Sequence, residues 1–375
     1  MKICIIGPTY PFRGGISHYT TLLYRHLKKQ HDTTFFAFKR QYPKWIYPGE
    51  TDRDPSNQPL FESDVNYILD SLNPFSWIRL FKNLNKTNPD LVIFPWWTFF
   101  WTIPFYFVAK LVKKRMRSKI LFICHNVKEH ESKLFHRFCT SLVLNQGDYF
   151  IVHSSEEKYK LKKILPNKEV IKGFHPSYKA LQGRIYDSNE AKKILNLDGR
   201  ILLFFGFIRP YKGLKYLIEA MPIILKEIKI TLLIVGECWD DKNKYKKEIK
   251  KIGINEFVVW VDRYIRNEEI GLYFAATDLV ITPYISATGS GIIQTAFGCS
   301  RPVVATSVGG LSEVVKDGKT GYLVRPQDAE EIANAVIKFF KEKKSSFFKK
   351  NIENEIDKFS WGRLIKEIER GYAKF

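Results

Sequence analysis

The sequence predicts an α/β protein built from two doubly wound parallel sheets. Its 375 residues are too many for one ordinary core and fit two α/β domains. Short apolar runs typical of buried strands alternate with amphipathic helical patterns along most of the chain. The alternation stops in the polar stretch 176–189 and then restarts, which indicates a linker between two domains.

The first half of the chain predicts five strands and the helices between them. The predicted strands are 2–7, Thr33–Phe38, Leu91–Phe94, Lys119–Cys124 and Tyr149–His153, and the predicted helices are Ile16–Lys28, Phe75–Leu84, one ending near Lys113, and Ser132–Asn145. Ser154 and Glu157 predict a capping box that opens a further helix. Residues 39–73, rich in Pro, Asp and Asn, predict mostly loop, long enough for a functional flap.

The second half repeats the pattern. The predicted strands are Ile201–Gly206, Ile230–Val235, Phe257–Val261, one ending near Tyr284, and one over PVVAT at 302–306; the predicted helices are Leu214–Ile228, Glu268–Thr277, one opened by Gly289–Gly291, Asp328–Lys341 and Phe359–Tyr372.

Charge and cysteine content limit the possible partners and compartment. With 60 Lys and Arg against 39 Asp and Glu, the net charge is +21, which favours nucleic acid, a phosphorylated small molecule or an acidic membrane face as partner. The five cysteines are scattered and include no C-x-x-C pair, so a reducing cytoplasm is expected. The opening MKICIIGPTY predicts a strand and a turn and is too short for a signal peptide.

One aromatic segment allows two interpretations. Leu91–Ala109 has no charge and is almost long enough to cross a bilayer, but Pro95 and Pro104 divide it. It is either a core strand followed by a core helix, or an apolar patch at Trp96–Trp101 that touches lipid. The basic run Lys110–Lys119 beside it favours contact with an anionic membrane.

Glycine-rich turns after apolar strands predict a phosphate site. Gly289–Gly291 and the pair Gly309-Gly310 each follow such a strand and precede a helix. Backbone N–H groups at a helix start bind phosphate, and the carboxyl edge of an open α/β sheet is where ligands bind. The alternative is that these glycines only make tight turns.

A basic loop supplies cations for the same site. Arg209 and Lys212 lie in IRPYKG, framed by Gly206 and Gly213, where they would bind phosphate. The alternative is a solvated basic loop. Fixed cations can stabilise negative charge on phosphate oxygens without a metal ion.

The sequence offers no convincing metal site. Asp52-Arg53-Asp54 is interpreted as a solvated turn. His125, Glu129 and His130 form H-x-x-x-E-H, one residue away from the similar zinc spacing. We therefore expect neither a metal nor another cofactor.

The ordered motifs resemble those of the retaining glycosyltransferases of family 4, in group 1, with the GT-B fold. They are RGG at 13–15, HN at 125–126, GFIRPYKG at 206–213, VGE at 235–237, the 289–291 turn and GGLSEVVKDGKTGYLV at 309–324. The resemblance implies two Rossmann-like domains facing across a cleft. It implies an acceptor domain at 1–177, a nucleotide-sugar domain at 190–357, and a C-terminal helix at 358–375 that packs back on the first domain.

The resemblance also implies roles for single residues. His125 would hydrogen-bond the donor sugar, Glu237 would face the nucleotide, and Glu313 would hold a backbone N–H near the phosphates. Taken alone, these would be a polar core histidine, a capping residue and an ordinary first-turn carboxylate. The predicted catalytic residues are His125, Arg209 and Lys212, and the predicted donor-binding residues are Gly14, Gly15, Gly206, Glu237, Ser286, Gly289, Ser290, Gly291, Gln294 and Glu313.

The chain departs from the family pattern at three positions. Ser286 and Gln294 stand where the family has two glutamates. Gln294 can still bond a ribose hydroxyl, whereas Ser286 is too short to reach a sugar hydroxyl as glutamate does. Arg209 follows Gly206 at a longer interval than in the family.

The expected function is sugar transfer, with retention, from a nucleoside-diphosphate sugar to a glycan or lipid-linked acceptor in bacterial cell-surface polysaccharide synthesis. The enzyme would be cytoplasmic, touching the anionic inner face of the membrane without spanning it. One alternative is a nucleotide-sugar epimerase of the same fold, which needs acid/base carboxylates where this cleft looks basic and amide-rich. Another is a non-catalytic sugar-nucleotide or RNA-binding protein, although the aromatic strands of RNA-binding modules are absent.

Overall fold

The computed structural model describes residues 1–43, 45–47, 49–127 and 134–375. These residues form two compact units. Unit 1 consists of Met1–Asp54, Pro59–Phe174 and Trp361–Phe375, and unit 2 of Pro55–Gln58 and His175–Ser360. Each unit is a parallel sheet with helices in the crossovers, so the predicted doubly wound α/β class is confirmed.

The described residues of unit 1 contain seven parallel strands in the order β3-β2-β1-β4-β5-β6-β7. They are β1 Lys2–Gly7, β2 Asp32–Arg40, β3 Asn66–Asp70, β4 Leu91–Trp96, β5 Lys119–Cys124, β6 Tyr149–Val152 and β7 Glu169–Lys172. The central strands β4 and β6 are buried at every residue, because helices cover both faces of a parallel sheet. Strand β3 lies inside 39–73, where mostly loop was predicted; it is an edge strand with little apolar alternation.

The helices of unit 1 are α1 Gly15–Leu27, α2 Pro74–Thr87, α3 Thr102–Arg115, α4 Leu134–Leu144, α5 Ser155–Ile164 and α14 Trp361–Tyr372. The serine half of the predicted capping box forms, with Ser154 accepting a hydrogen bond from the Glu157 N–H, whereas the Glu157 carboxylate accepts from the Val127 N–H. Helix α14 packs against α1 and β6, and the Tyr149 hydroxyl donates to the Ile368 carbonyl at 3.0 Å. A Cβ at Gly371 would lie only 2.3 Å from the Tyr149 ring, so glycine permits this close approach.

The aromatic segment is mainly core. Trp96 and Trp101 are 1% and 0% exposed, and Trp101 stacks on Phe38 with ring centroids 4.2 Å apart. The interpretation of these two tryptophans as a lipid-contacting patch is therefore wrong, because β4 continues through Pro95 to Trp96, and the 3₁₀ turn Phe99–Trp101 that follows packs Trp101 on Phe38. Within the described residues, no helix combines the length and apolar character that a bilayer crossing requires.

The described residues of unit 2 contain six parallel strands in the order β10-β9-β8-β11-β12-β13. The strands are β8 Ile201–Phe205, β9 Thr231–Val235, β10 Val258–Val261, β11 Leu279–Thr282, β12 Val303–Thr306 and β13 Gly321–Val324. The helices are α6 Ser188–Ile194, α7 Leu214–Glu227, α8 Lys242–Lys251, α9 Asn267–Ala276, α10 Gly291–Gly298, α11 Leu311–Val314, α12 Ala329–Lys341 and α13 Ser345–Glu355.

The stretch predicted as a linker belongs to unit 2. It contains a short 3₁₀ turn at Lys179–Gln182 that packs against α9 and α10, and then the start of α6. Tyr178 and Leu181 are buried there. The polar sequence around these two apolar residues hid the packing, which involves partners far along the chain.

Candidate active site

The order of strands in unit 2 identifies one edge as the place for a ligand. Strands β8 and β11 are neighbours, and the chain order reverses between them. In open parallel sheets, ligands bind beyond the carboxyl ends of the strands at this reversal. Residues 206–213 follow β8 and residues 283–290 follow β11, so the predicted basic loop and the predicted glycine turn meet at this edge.

The two loops are joined through their backbones. The Ile285 N–H donates to the Tyr211 carbonyl at 2.7 Å. Gly213 has φ +68°, and a Cβ there would lie 1.9 Å from the Pro283 carbonyl oxygen. The basic loop is therefore held in one place by a glycine that no other residue can replace without moving the neighbouring backbone.

Lys212 is a buried cation beside a glycine. Lys212 is 8% exposed, and its Nζ lies 3.1 Å from the position that a Cβ of Gly206 would occupy. Burial, together with the charge of Arg209, lowers the pKa of Lys212 to about 7. Among the described residues, no carboxylate pairs with this ammonium group. A buried cation without an anionic partner is a site that a phosphate would complete.

The Arg209 guanidinium lies over the Trp239 ring, 4.5 Å from its centroid. The backbones of Ile208 and Cys238 form a parallel bridge, so the alternate residues Phe207, Arg209, Glu237 and Trp239 share one face. Phe207 stacks on Trp239 at 4.2 Å, and Glu237 Oε1 accepts a 2.8 Å hydrogen bond from Trp239 Nε1. This arrangement fixes the guanidinium beyond the ends of β8 and β9.

The sequence prediction missed Phe207 and Trp239. A signal was present, because an aromatic residue alternates with a charged one just after two successive strands. Phe207 alternates with Arg209, and Trp239 alternates with Glu237. Their contact depends on β8 and β9 being neighbours in register, and that pairing cannot be read from either segment alone.

The glycine turn opens helix α10. Ser290 caps the helix, accepting from the Ile293 N–H at 3.3 Å, and its hydroxyl lies 3.4 Å from that of Tyr284. Gly289 is exposed, and a Cβ there would meet nothing within 4 Å. A Cβ at Gly291 would come within 3.2 Å of the Tyr178 ring. The helix start is thus open on the side of Gly289.

Gln294, one turn into α10, is 1% exposed. No hydrogen-bond partner for its Oε1 is found among the described residues. Buried amide oxygens are nearly always bonded, so a ligand hydroxyl is a suitable partner. Half-buried Ser286 lies in the loop after β11, and Glu313 lies in α11 after β12.

The predicted donor-binding residues of unit 2 therefore follow four adjacent strands, β9, β8, β11 and β12. The structure brings them to one edge of one sheet.

The predicted residues of unit 1 follow β1 and β5. Gly14 has φ +108°, and neither it nor Gly15 would bring a Cβ within 4 Å of another atom, so the start of α1 is open. Arg13 before them is buried, with Nε donating to the Tyr47 hydroxyl at 3.1 Å.

Residues 52–54 pack on this glycine loop. The Arg13 N–H donates to the Asp52 carbonyl at 3.0 Å, and the buried Asp54 carboxylate lies 3.9 Å from His18 Nε2. The interpretation of Asp52-Arg53-Asp54 as a solvated turn is wrong for Asp54, because a contact with a residue far earlier in the chain buries it.

His125 directly follows β5, and its N–H donates to the Trp96 carbonyl at 2.8 Å. Its ring packs edge-on against buried Tyr19, with centroids 4.4 Å apart, and lies 5.4 Å from the His153 ring. The sequence prediction did not include Tyr19, although its place on the buried face of α1 was a signal. The imidazole is thus oriented by aromatic packing.

Among the residues that the structure describes, no group of three or more His, Cys, Asp or Glu side chains could hold a metal ion. Glu129 and His130 of the H-x-x-x-E-H pattern lie outside the described residues, as does the start of the helix predicted at Ser132.

Comparison with known proteins agrees with the predicted resemblance. Residues 199–342 match the family model described as glycosyl transferases group 1. An uncharacterized glycosyltransferase of Methanocaldococcus jannaschii is 27% identical to this chain, over 99% of this chain and 98% of the relative's length. A D-inositol 3-phosphate glycosyltransferase of Pseudarthrobacter chlorophenolicus is 32% identical to this chain, over 36% of this chain and 33% of the relative's length.

Solved structures share the fold over the full chain. Anabaena HepE in complex with UDP superposes with a TM-score of 0.76 at 18% identity, covering 100% of both chains. Sucrose-phosphate synthase of Thermosynechococcus elongatus gives a TM-score of 0.74 at 18% identity, covering 100% of this chain and 99% of that one. The predicted GT-B fold is confirmed.

Proposed function

We propose that this chain of the GT-B fold is a group 1 glycosyltransferase, which transfers a sugar from a nucleoside diphosphate to an acceptor with retention of anomeric configuration. The observation that carries the proposal is buried Lys212, next to Gly206 and Arg209 at the strand reversal of unit 2. The similar HepE structures hold UDP and UDP-glucose, which supports a nucleoside-diphosphate sugar as donor.

The chemistry follows from the charges of the site. As the glycosidic bond breaks, negative charge grows on the diphosphate oxygens, and a preorganised cation stabilises that charge most where water is excluded. Lys212 supplies a buried ammonium group, and Arg209 supplies a planar guanidinium suited to two phosphate oxygens. Gly289 and the start of α10 leave room for the second phosphate. We propose that these groups do the work of a metal ion and that His125 contacts the sugar.

We propose a glycan or lipid-linked acceptor, of the kind used in bacterial cell-surface polysaccharide synthesis, and peripheral contact with an anionic membrane from the cytoplasmic side. The support is the net charge of +21 and the concentration of basic residues in helix α3.

A nucleotide panel tests the donor proposal. Thermal unfolding is measured with UDP, GDP, ADP and their sugars, and one base is expected to stabilise the protein by about 2.7 kcal/mol at a hundred times its dissociation constant. With the matching donor, slow hydrolysis should release sugar whose first-formed anomer, observed by proton NMR, has the configuration of the donor. Turnover should persist in excess chelator. No stabilisation by any nucleotide, an inverted product, or activity lost in chelator and restored by magnesium or manganese would each contradict the corresponding part of the proposal.

Trp239 is proposed to position Arg209 for the diphosphate. The Trp239→Leu variant is expected to weaken nucleoside-diphosphate binding by about 0.5–2 kcal/mol, the range for a cation–π contact, while the affinity for the nucleoside alone stays constant. Calorimetric titration with both ligands measures the difference, and Trp239→Phe should recover most of the loss.

Trp260→Leu is the matched control. This tryptophan lies in β10 of the same sheet, with the Lys242 ammonium 5.9 Å from its ring centroid. Equal losses for nucleoside and nucleoside diphosphate in Trp239→Leu would show that Trp239 holds the base or the fold instead.

A further inference from the structure

Helices α2 and α3 lie side by side in unit 1. They contact each other and share one hydrophobic core, and the rings of Trp77 and Phe107 are 5.9 Å apart. Helix α2 leads into β4 and α3 leads from β4 to β5, so in a parallel sheet both helices run in the same direction. Their amino-terminal ends therefore lie together, and so do their carboxyl-terminal ends.

The outer face of α2 is apolar at its start and basic afterwards. Phe75 and Ile78 are 80% and 41% exposed, and Leu72 just before the helix is also exposed. Lys82 and Lys86 follow at the helical spacing that keeps them on the same face as Phe75. This stripe is about 16 Å long at 1.5 Å per residue.

The outer face of α3 has the same order. Ile103 is 67% exposed, and Lys110 and Lys114 follow at spacings of seven and eleven residues, both exposed. Neither helix contains an aspartate or glutamate. The two stripes together form one surface, here named the α2–α3 face, with an apolar end and a basic end. It comprises Leu72, Phe75, Ile78, Lys82, Lys86, Ile103, Lys110 and Lys114.

We propose that the α2–α3 face docks on an anionic lipid bilayer, with its apolar end in the headgroup boundary and its lysines on the lipid phosphates. The inference rests on the proposed membrane contact and moves it from the buried Trp96 and Trp101 to a solvent-exposed surface. Interfacial binding increases with apolar area and with basic charge, and this face has both. A nucleic acid would leave Phe75 and Ile103 uncovered by its phosphates, and a second copy of the same basic face would be repelled.

The test is cosedimentation of the full chain with vesicles, without donor. Wild type is expected to bind vesicles of equal parts phosphatidylcholine and phosphatidylglycerol at low salt, and to bind less as salt rises, because the Debye length falls to about 8 Å at physiological ionic strength. Replacing Lys82, Lys86, Lys110 and Lys114 with glutamine should lower partitioning about a hundredfold or more, at about fivefold for each basic residue. The double change Phe75→Ser and Ile103→Ser should lower it about tenfold or more without changing net charge.

Helix α8 provides the matched control, since it carries six lysines and one glutamate but, along its described length, no exposed large apolar side chain. Glutamine at Lys244, Lys247, Lys250 and Lys251 removes the same number of charges and should leave vesicle binding nearly unchanged.

Several outcomes would overturn the proposal. Equal loss in the α8 variant would mean diffuse attraction by net charge, and indifference to Phe75→Ser with Ile103→Ser would remove the interfacial docking. Failure of the wild type to bind acidic vesicles would also overturn the proposal. So would RNA binding through these lysines with higher affinity than vesicle binding. All variants are surface changes whose folding is checked by circular dichroism. The vesicle assay contains no donor, so its outcome does not depend on sugar transfer. Failure of the nucleotide panel would refute the enzymatic proposal and leave this one intact.

Discussion

Replacing Lys212 with alanine is expected to weaken nucleoside-diphosphate binding by about 1.5–3 kcal/mol, the range for a hydrogen bond to a charged group, and to reduce turnover at least as much. The reason is that the ammonium group is buried next to Gly206 and pairs with no carboxylate of the described residues, so the ligand phosphate would be its counter-ion. Calorimetric titration of wild type and variant measures the change.

Two variants separate this effect from packing. Lys212→Met keeps the apolar stem and removes the charge, and should lose as much affinity as Lys212→Ala without losing stability, because burying a cation opposes folding. Lys215→Ala removes an exposed lysine nearby, 3.5 Å from Glu219, and should bind normally. Wild-type affinity in both Lys212 variants would refute the assignment of the diphosphate site.

The same lysine predicts the pH dependence of donor binding. Its pKa is lowered to about 7 by burial and by Arg209, so in the free protein it loses its proton as pH rises through 7. A bound phosphate favours the charged form and raises the pKa, so binding takes up a proton above about pH 7. Affinity for a nucleotide sugar should therefore fall as pH rises from 7 to 9 in wild type, and this slope should disappear in Lys212→Met.

Gly213→Ala should be among the most destabilising single changes in unit 2, lowering the free energy of unfolding by about 4 kcal/mol or more. The new methyl group would lie 1.9 Å from the Pro283 carbonyl oxygen, so the loop after β8 or the loop after β11 must move. Since those loops carry Lys212 and Ser286, donor binding should be lost as well. Urea unfolding followed by circular dichroism gives the stability change.

Gly318→Ala separates the clash from backbone strain. Gly318 has the same φ of +68° as Gly213, but a Cβ there would meet nothing within 4 Å. It should therefore cost only the left-handed backbone penalty of about 1–2 kcal/mol. If the two variants were equally stable, the close approach of Gly213 to Pro283 would have no energetic role.

Sequence periodicity predicted most of the central strands because parallel strands buried on both faces are continuous apolar runs. It also predicted that the loops after β8 and β11 bear charge and glycine. It did not predict edge strand β3 or helix α8, whose apolar residues, such as Tyr245 and Ile249, are few among lysines. Such elements are held by neighbours distant in sequence, which local patterns do not encode.

Burial was the harder property to predict. Trp96 and Trp101 satisfy the compositional criteria for a lipid-facing patch, yet they fill the core, whereas Phe75 and Ile103 are exposed on otherwise ordinary helices. The support of Arg209 by Trp239 and of His125 by Tyr19 depends on pairs of residues brought together by strand pairing and helix packing. The charges of the site were thus predictable, and the groups that orient them were not.

The packing of α14 into unit 1 has a consequence for biosynthesis. Unit 1 is discontinuous: most of it precedes residue 175, but Trp361–Phe375 belongs to it as well, while unit 2 is nearly continuous between them. On the ribosome, unit 2 can complete its core while the surface of β6 around Tyr149 still waits for Ile368 and Gly371. The first unit to be translated is thus the last to be finished, and until then its uncovered apolar surface is prone to aggregation.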